Sequence, residues 1–78
     1  TVLWKPAATA MLSSYYVYKL MEEAGLPPGV INFLPGDPVA ISDIALSSRD
    51  LAGVHFTGST TVFNNMWRTI GANMGQYR

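Results

Sequence analysis

Three short stretches of the 78-residue chain carry residue types that could handle a phosphorylated ligand. Lys5 ends an apolar run, Gly36-Asp37 follows a second one, and Gly58 is followed by the hydroxyls of Ser59, Thr60 and Thr61. Gly58 has no side chain, so a ligand could approach the backbone there. The amides of Ser59, Thr60 and Thr61 would point along the axis of a helix beginning at this place, where the macrodipole is positive and a phosphate is favoured. The same residues also have a plainer reading. Gly58 would make a tight turn and Ser59 would cap a helix, and a single glycine says far less than a full glycine fingerprint. Lys5 is open in the same way: it is either a solvated cation or a donor to ribose hydroxyls and phosphate oxygens. Asp37, directly before Pro38, reads as a helix cap.

The other candidates point to structure rather than catalysis. His55 lies inside an apolar run without a cysteine, serine elbow or carboxylate at recognisable spacing, and is expected to be a hydrogen-bonded core or sheet residue. Tyr15, Tyr16 and Tyr18 cluster on one predicted helix, and packing against parts of a larger protein is their expected use. The adjacent Glu22 and Glu23 point to different azimuths and read as a solvated end. No metal-ligand spacing occurs. The chain has no cysteine, which removes every thiol nucleophile and gives no sign of an oxidising compartment.

The bulk composition narrows the class further. Five basic residues balance five acidic ones, only 13% of residues are charged, and 49% are hydrophobic. The dense basic footprint of a nucleic-acid binder is missing. The apolar runs fall well short of the ~20 residues that span a bilayer. A chain of this size buries only ~60% of its unfolded surface, so high apolar content with little charge suits a piece meant to be covered by a larger domain. The opening residue, Thr1 rather than Met, leads to the same expectation of a fragment.

The elements that must position the three stretches alternate in type. Residues 1–4 read as a strand stopped by Pro6. Residues 7–24 read as a helix with Val17, Leu20, Met21 and Ala24 on its inner face and Gly25 as a left-handed stop. Residues 30–34 form a second apolar run. A short helix after Asp37 would turn Ile41, Ile44 and Ala45 inward, and residues 47–50 are expected to be exposed. Residues 53–57 read as a third strand, followed by a helix with Val62, Phe63, Met66, Trp67, Ile70 and Met74 in one stripe. Strands joined by helices run parallel, and their continuous hydrophobicity implies cover on both faces. The expected fold is therefore α/β, a βαβαβα portion of a Rossmann-like doubly wound parallel sheet. In such sheets ligands bind beyond the carboxyl ends of the strands, the edge that all three stretches would share.

The residues at that edge resemble the aldehyde dehydrogenase family. Leu3-Trp4-Lys5-Pro6-Ala7 is similar to its "WKP" strand end, and Ala24–Asn32 followed by Pro35-Gly36 is similar to its "G-(L/F)-P-x-G-V-(I/V)-N" segment. Phe56-Thr57-Gly58-Ser59-Thr60 resembles its "FTGS" motif, and the three come in the family's order over nearly the whole chain. Residues 31–38, INFLPGDP, with Phe63, Met66 and Trp67, resemble the pyrroline-5-carboxylate dehydrogenase branch, its fungal members especially. The resemblance implies that residues 1–78 are part of an NAD-binding domain. The parent enzyme would be homo-oligomeric and would oxidise L-glutamate γ-semialdehyde to L-glutamate with NAD in the mitochondrial matrix, during proline degradation.

Residue by residue, the resemblance implies that Lys5 hydrogen-bonds the adenosine ribose. Gly58, Ser59, Thr60, Thr61 and Val62 would form the turn and helix start beneath the pyrophosphate and adenosine, with Gly36 and Asp37 near the adenine edge. The family's nucleophilic cysteine and general-base glutamate are not among these residues, so the implied role is cofactor binding alone. Two positions depart from the family pattern. Ala8 stands where many members carry an acid that disfavours NADP, so strict NAD preference is not implied. Phe63 stands where many have glycine, which must alter how the helix meets the adenine side. Two other classes remain open: a non-catalytic α/β interaction module using the Val62–Met74 stripe as a partner surface, and the phosphate-binding part of another doubly wound enzyme.

Overall fold

The computed structural model describes all residues from Thr1 to Arg78. In chain order they form strand β1 (Val2–Trp4), a 3₁₀ turn (Ala8–Ala10), helix α1 (Met11–Glu23), strand β2 (Ile31–Phe33), helix α2 (Pro38–Ser47), helix α3 (Thr60–Ala72) and a last 3₁₀ turn (Met74–Gln76). The chain divides into two units, Thr1–Ile41 and Ser42–Arg78.

In the first unit β1 and β2 pair in parallel, with Val2 opposite Ile31, Leu3 opposite Asn32 and Trp4 opposite Phe33. The ladder is closed by Val2 N–H donating to Val30 O at 2.8 Å and Leu34 N–H donating to Trp4 O at 2.9 Å. A parallel pair requires a crossover, and α1 supplies it. The helix stops where expected. Gly25 takes φ +104°, its N–H donates to Glu22 O, and Leu26 N–H donates to Met21 O. These two bonds form a Schellman stop, and a side chain on Gly25 would be strained at that φ.

The inner face of α1 differs from the expected one. Met11, Ser14, Tyr18 and Met21 are half-buried, whereas Val17, Leu20 and Ala24 are exposed. Aromatic packing decides the rotation. Phe33 on β2 stacks on Tyr18 at 5.5 Å between ring centroids and meets Trp4 at 5.4 Å and Tyr15 at 6.1 Å edge-on. Two of the three tyrosines are therefore packed within the unit, and only Tyr16 stands free of Phe33. Rings at these separations gain ~0.5–1.5 kcal/mol per pair beyond the area they bury.

Asp37 caps α2 as its position before Pro38 predicts: Ala40 N–H donates to Asp37 Oδ2 at 3.0 Å. Of the expected inward face of α2, Ile41 and Ala45 are half-buried and Ile44 is not. Ile44, expected inside, is 77% exposed, while Leu46 is buried at 6%. Leu46 belongs to the second unit, whose end folds back on it: Tyr77 Oη donates to Leu46 O at 2.6 Å. Arg78 N–H donates to Arg49 O at 2.9 Å, and its guanidinium pairs with Asp50 at 2.8 Å. That ion pair is solvent-exposed and contributes little.

The third strand does not form. The sheet has two strands, and residues 51–57 have no regular structure. Period-two or continuous apolar patterning shows that a segment suits a sheet, but a strand exists only where a neighbouring backbone answers its N–H and C=O groups. Nor are both sheet faces covered: Val2 and Leu3 stay exposed. No helix is long and apolar enough to cross a membrane.

Candidate functional site

In the first unit the sheet sets the geometry. Because β1 and β2 are parallel and in register, the chain leaves both at the same end, so Lys5 and the turn Pro35-Gly36-Asp37 depart from one edge side by side. Lys5 is half-buried and its ammonium donates to Pro6 O at 2.8 Å, beside the buried ring of Pro6. An ammonium has three donors, so this bond leaves two for a ligand. Asp37 is committed to capping α2 through one carboxylate oxygen. Ala8, in the turn directly after β1, is exposed and adds no charge to the edge.

In the second unit the turn at Gly58 is built around the start of α3. Ser59 is the cap: its hydroxyl oxygen accepts from Val62 N–H at 3.2 Å and its carbonyl oxygen accepts from Phe63 N–H at 3.1 Å. The amide of Val62 is thus already used. Those of Thr60 and Thr61, in the first turn of a 13-residue helix, have no acceptor within the chain. Free amides at the positive end of a helix are the groups that attract an anion. The space on the Cβ side of Gly58 holds the ring of Phe56, so the glycine does not simply expose open backbone.

His55, expected in a core or sheet, is exposed, because no strand forms around it. Of the α3 stripe, Met66 and Ile70 are half-buried, while Val62, Phe63, Trp67 and Met74 are exposed. Phe63 and Trp67 pack edge-on at 6.3 Å. A surface cleft of about 310 Å³ is lined by Leu51–Val54, Ile70, Tyr77 and Arg78 and by none of the residues expected to hold a cofactor. Its two polar side chains already have partners, Tyr77 at Leu46 O and Arg78 at Asp50. At the far end of α1, Lys19 pairs with Glu22 at 3.1 Å, which holds its ammonium pKa above the ordinary lysine value. That pair is exposed and belongs to the helix surface.

Comparison with known proteins places these features in a family. Residues 1–77 match the model of the aldehyde dehydrogenase family. The chain is 52% identical over 79 aligned positions to the probable delta-1-pyrroline-5-carboxylate dehydrogenase of Schizosaccharomyces pombe, covering 99% of this chain and 14% of that protein. To the mitochondrial delta-1-pyrroline-5-carboxylate dehydrogenase of Homo sapiens it is 46% identical, covering 97% of this chain and 14% of that protein. Among solved structures it is similar to the pyrroline-5-carboxylate dehydrogenase of Mycobacterium tuberculosis bound with NAD, with a TM-score of 0.97 and 52% identity over 100% of this chain and 15% of that one. The chain thus spans about one seventh of the length of the relatives it matches.

Proposed function

Because the chain belongs to the aldehyde dehydrogenase family, we propose that it is the cofactor-binding segment of an NAD-dependent enzyme that oxidises L-glutamate γ-semialdehyde, formed from 1-pyrroline-5-carboxylate, to L-glutamate. The observation that carries this reading is the match, over every residue of the chain, to a pyrroline-5-carboxylate dehydrogenase bound with NAD. Residues 1–78 are then part of the NAD-binding domain of a homo-oligomeric enzyme of proline degradation. The mitochondrial names of the mammalian relatives support a location in the mitochondrial matrix.

The residues fit a dinucleotide. Lys5 offers two free ammonium donors to ribose hydroxyls. Gly58, Ser59, Thr60, Thr61 and Val62 supply the turn and helix start for the pyrophosphate and adenosine. Within that group Thr60 and Thr61 bring free amides, while Ser59 and Val62 hold each other and keep the helix end rigid. Bound NAD would supply the hydride acceptor; this chain's residues bind and orient it and carry no catalytic group. Phe63 and Trp67 present an apolar surface one turn into α3, beside the adenine end. Exposed Ala8 puts no carboxylate next to Lys5, so a 2′-phosphate meets no repulsion from that position and strict NAD preference is not implied.

Titration of NAD into a full-length enzyme carrying this segment tests the reading. Lys5→Ala is expected to weaken binding about tenfold, the cost of losing a charge-assisted hydrogen bond. An unchanged dissociation constant would remove Lys5 from the site. A folded wild-type protein that fails to bind NAD at all would end the cofactor reading.

A further inference from the structure

A Cβ built on Gly58 would stand 2.5 Å from Cζ of Phe56 and 3.1 and 3.2 Å from its two Cε atoms. The backbone of Gly58 lies outside the left-handed region, so conformation alone does not demand glycine there. What a side chain would meet is the tip of a half-buried ring two residues earlier, which would have to move aside. On the far side of the turn Ser59 is locked, since its hydroxyl and its carbonyl both hold the first turn of α3. Between the ring and the locked cap lies only the Thr57-Gly58 link, and the Phe56 ring fills the Cβ side of that link.

We propose that Phe56 is a positioning residue for the cofactor: wedged against Gly58, its ring sets the angle at which the chain enters α3 and so the aim of the Thr60 and Thr61 amides. This rests on the reading of the Gly58 turn as part of the NAD site, and it gives the glycine a different reason. Gly58 is required by Phe56 rather than by the ligand's approach to bare backbone.

The two reasons separate in a double-mutant cycle on a full-length enzyme carrying this segment, with NAD affinity and thermal midpoint measured for Phe56→Ala, Gly58→Ala and the double variant. Residues in contact give non-additive effects. Each single variant is expected to weaken NAD binding by about tenfold, while Gly58→Ala adds less than about twofold in the Phe56→Ala background, because the ring it would strike has gone. Additive losses, about a hundredfold in the double variant, would overturn the proposal and return the glycine to the ligand. Single variants with wild-type affinity and only a lowered midpoint would overturn it too, leaving Phe56 as packing. Should Gly58→Ala fail to fold, recovery of folding in the double variant supports the wedge, and continued failure refutes it. Loss of NAD binding by the folded wild type would sink the cofactor reading itself, whereas additivity in a binding-competent wild type touches Phe56 alone.

Discussion

The isolated 78-residue chain is expected to show helical far-ultraviolet dichroism without a cooperative melt, and to bind a hydrophobic dye while still helical. The surface area argues for this. A folded protein of 8.5 kDa should expose about 4,700 Å² by the usual size scaling, yet this chain exposes 5971 Å². Only one large hydrophobic side chain, Leu46, is buried. Leu12, Tyr16, Leu20, Ile44, Trp67 and Met74 all face outward. A marginal core cannot offset conformational entropy of ~1–2 kcal/mol per residue, and a two-stranded sheet keeps unpaired edges that invite association. Compact helical states with loose packing behave in this way. A sharp, reversible melting curve with dispersed amide resonances at low concentration would show instead that the chain folds alone.

Replacing Phe33 is expected to cost more than any other single change in the first unit. Its ring is the common partner of Trp4, Tyr15 and Tyr18, joining β1, β2 and α1 at one point. In a full-length enzyme carrying this segment, Phe33→Ala should lose about 3 kcal/mol, in the range for deleting a core phenylalanine. At roughly 2 °C per kcal/mol for large domains, that lowers the melting midpoint by about 6 °C. Phe33→Leu keeps much of the apolar volume and should cost about 1 kcal/mol. Because Phe33 pairs with Trp4 next to Lys5, the alanine variant should also weaken NAD binding. Equal midpoints for wild type and Phe33→Ala would refute the view that this cluster holds the unit together.

The chain spans about one seventh of the length of the relatives it matches, which fits the first prediction, since the exposed apolar residues of α1 and α3 are ones that a larger fold would cover.

What the sequence determined alone was everything decided within a few residues. The Asp37 and Ser59 caps and the Gly25 stop follow from hydrogen bonds that span three to five positions, and the polar run 47–50 is exposed. The first helix, read from residue 7, instead begins as a 3₁₀ turn and becomes α1 only at Met11, where no side chain caps it. The three edge motifs were legible for the same reason, as short runs of fixed spacing. The tertiary structure decided what depends on distant partners. The rotation of α1 toward Tyr18 follows from Phe33, fifteen positions away, and Leu46 is buried where Tyr77, 31 positions on, folds back to its carbonyl. The absent third strand follows from the lack of a backbone to pair with. Even Gly58, which looked like an opening for a ligand, is explained by a ring only two residues back, because rotamer and burial, not spacing, aim Phe56 at it.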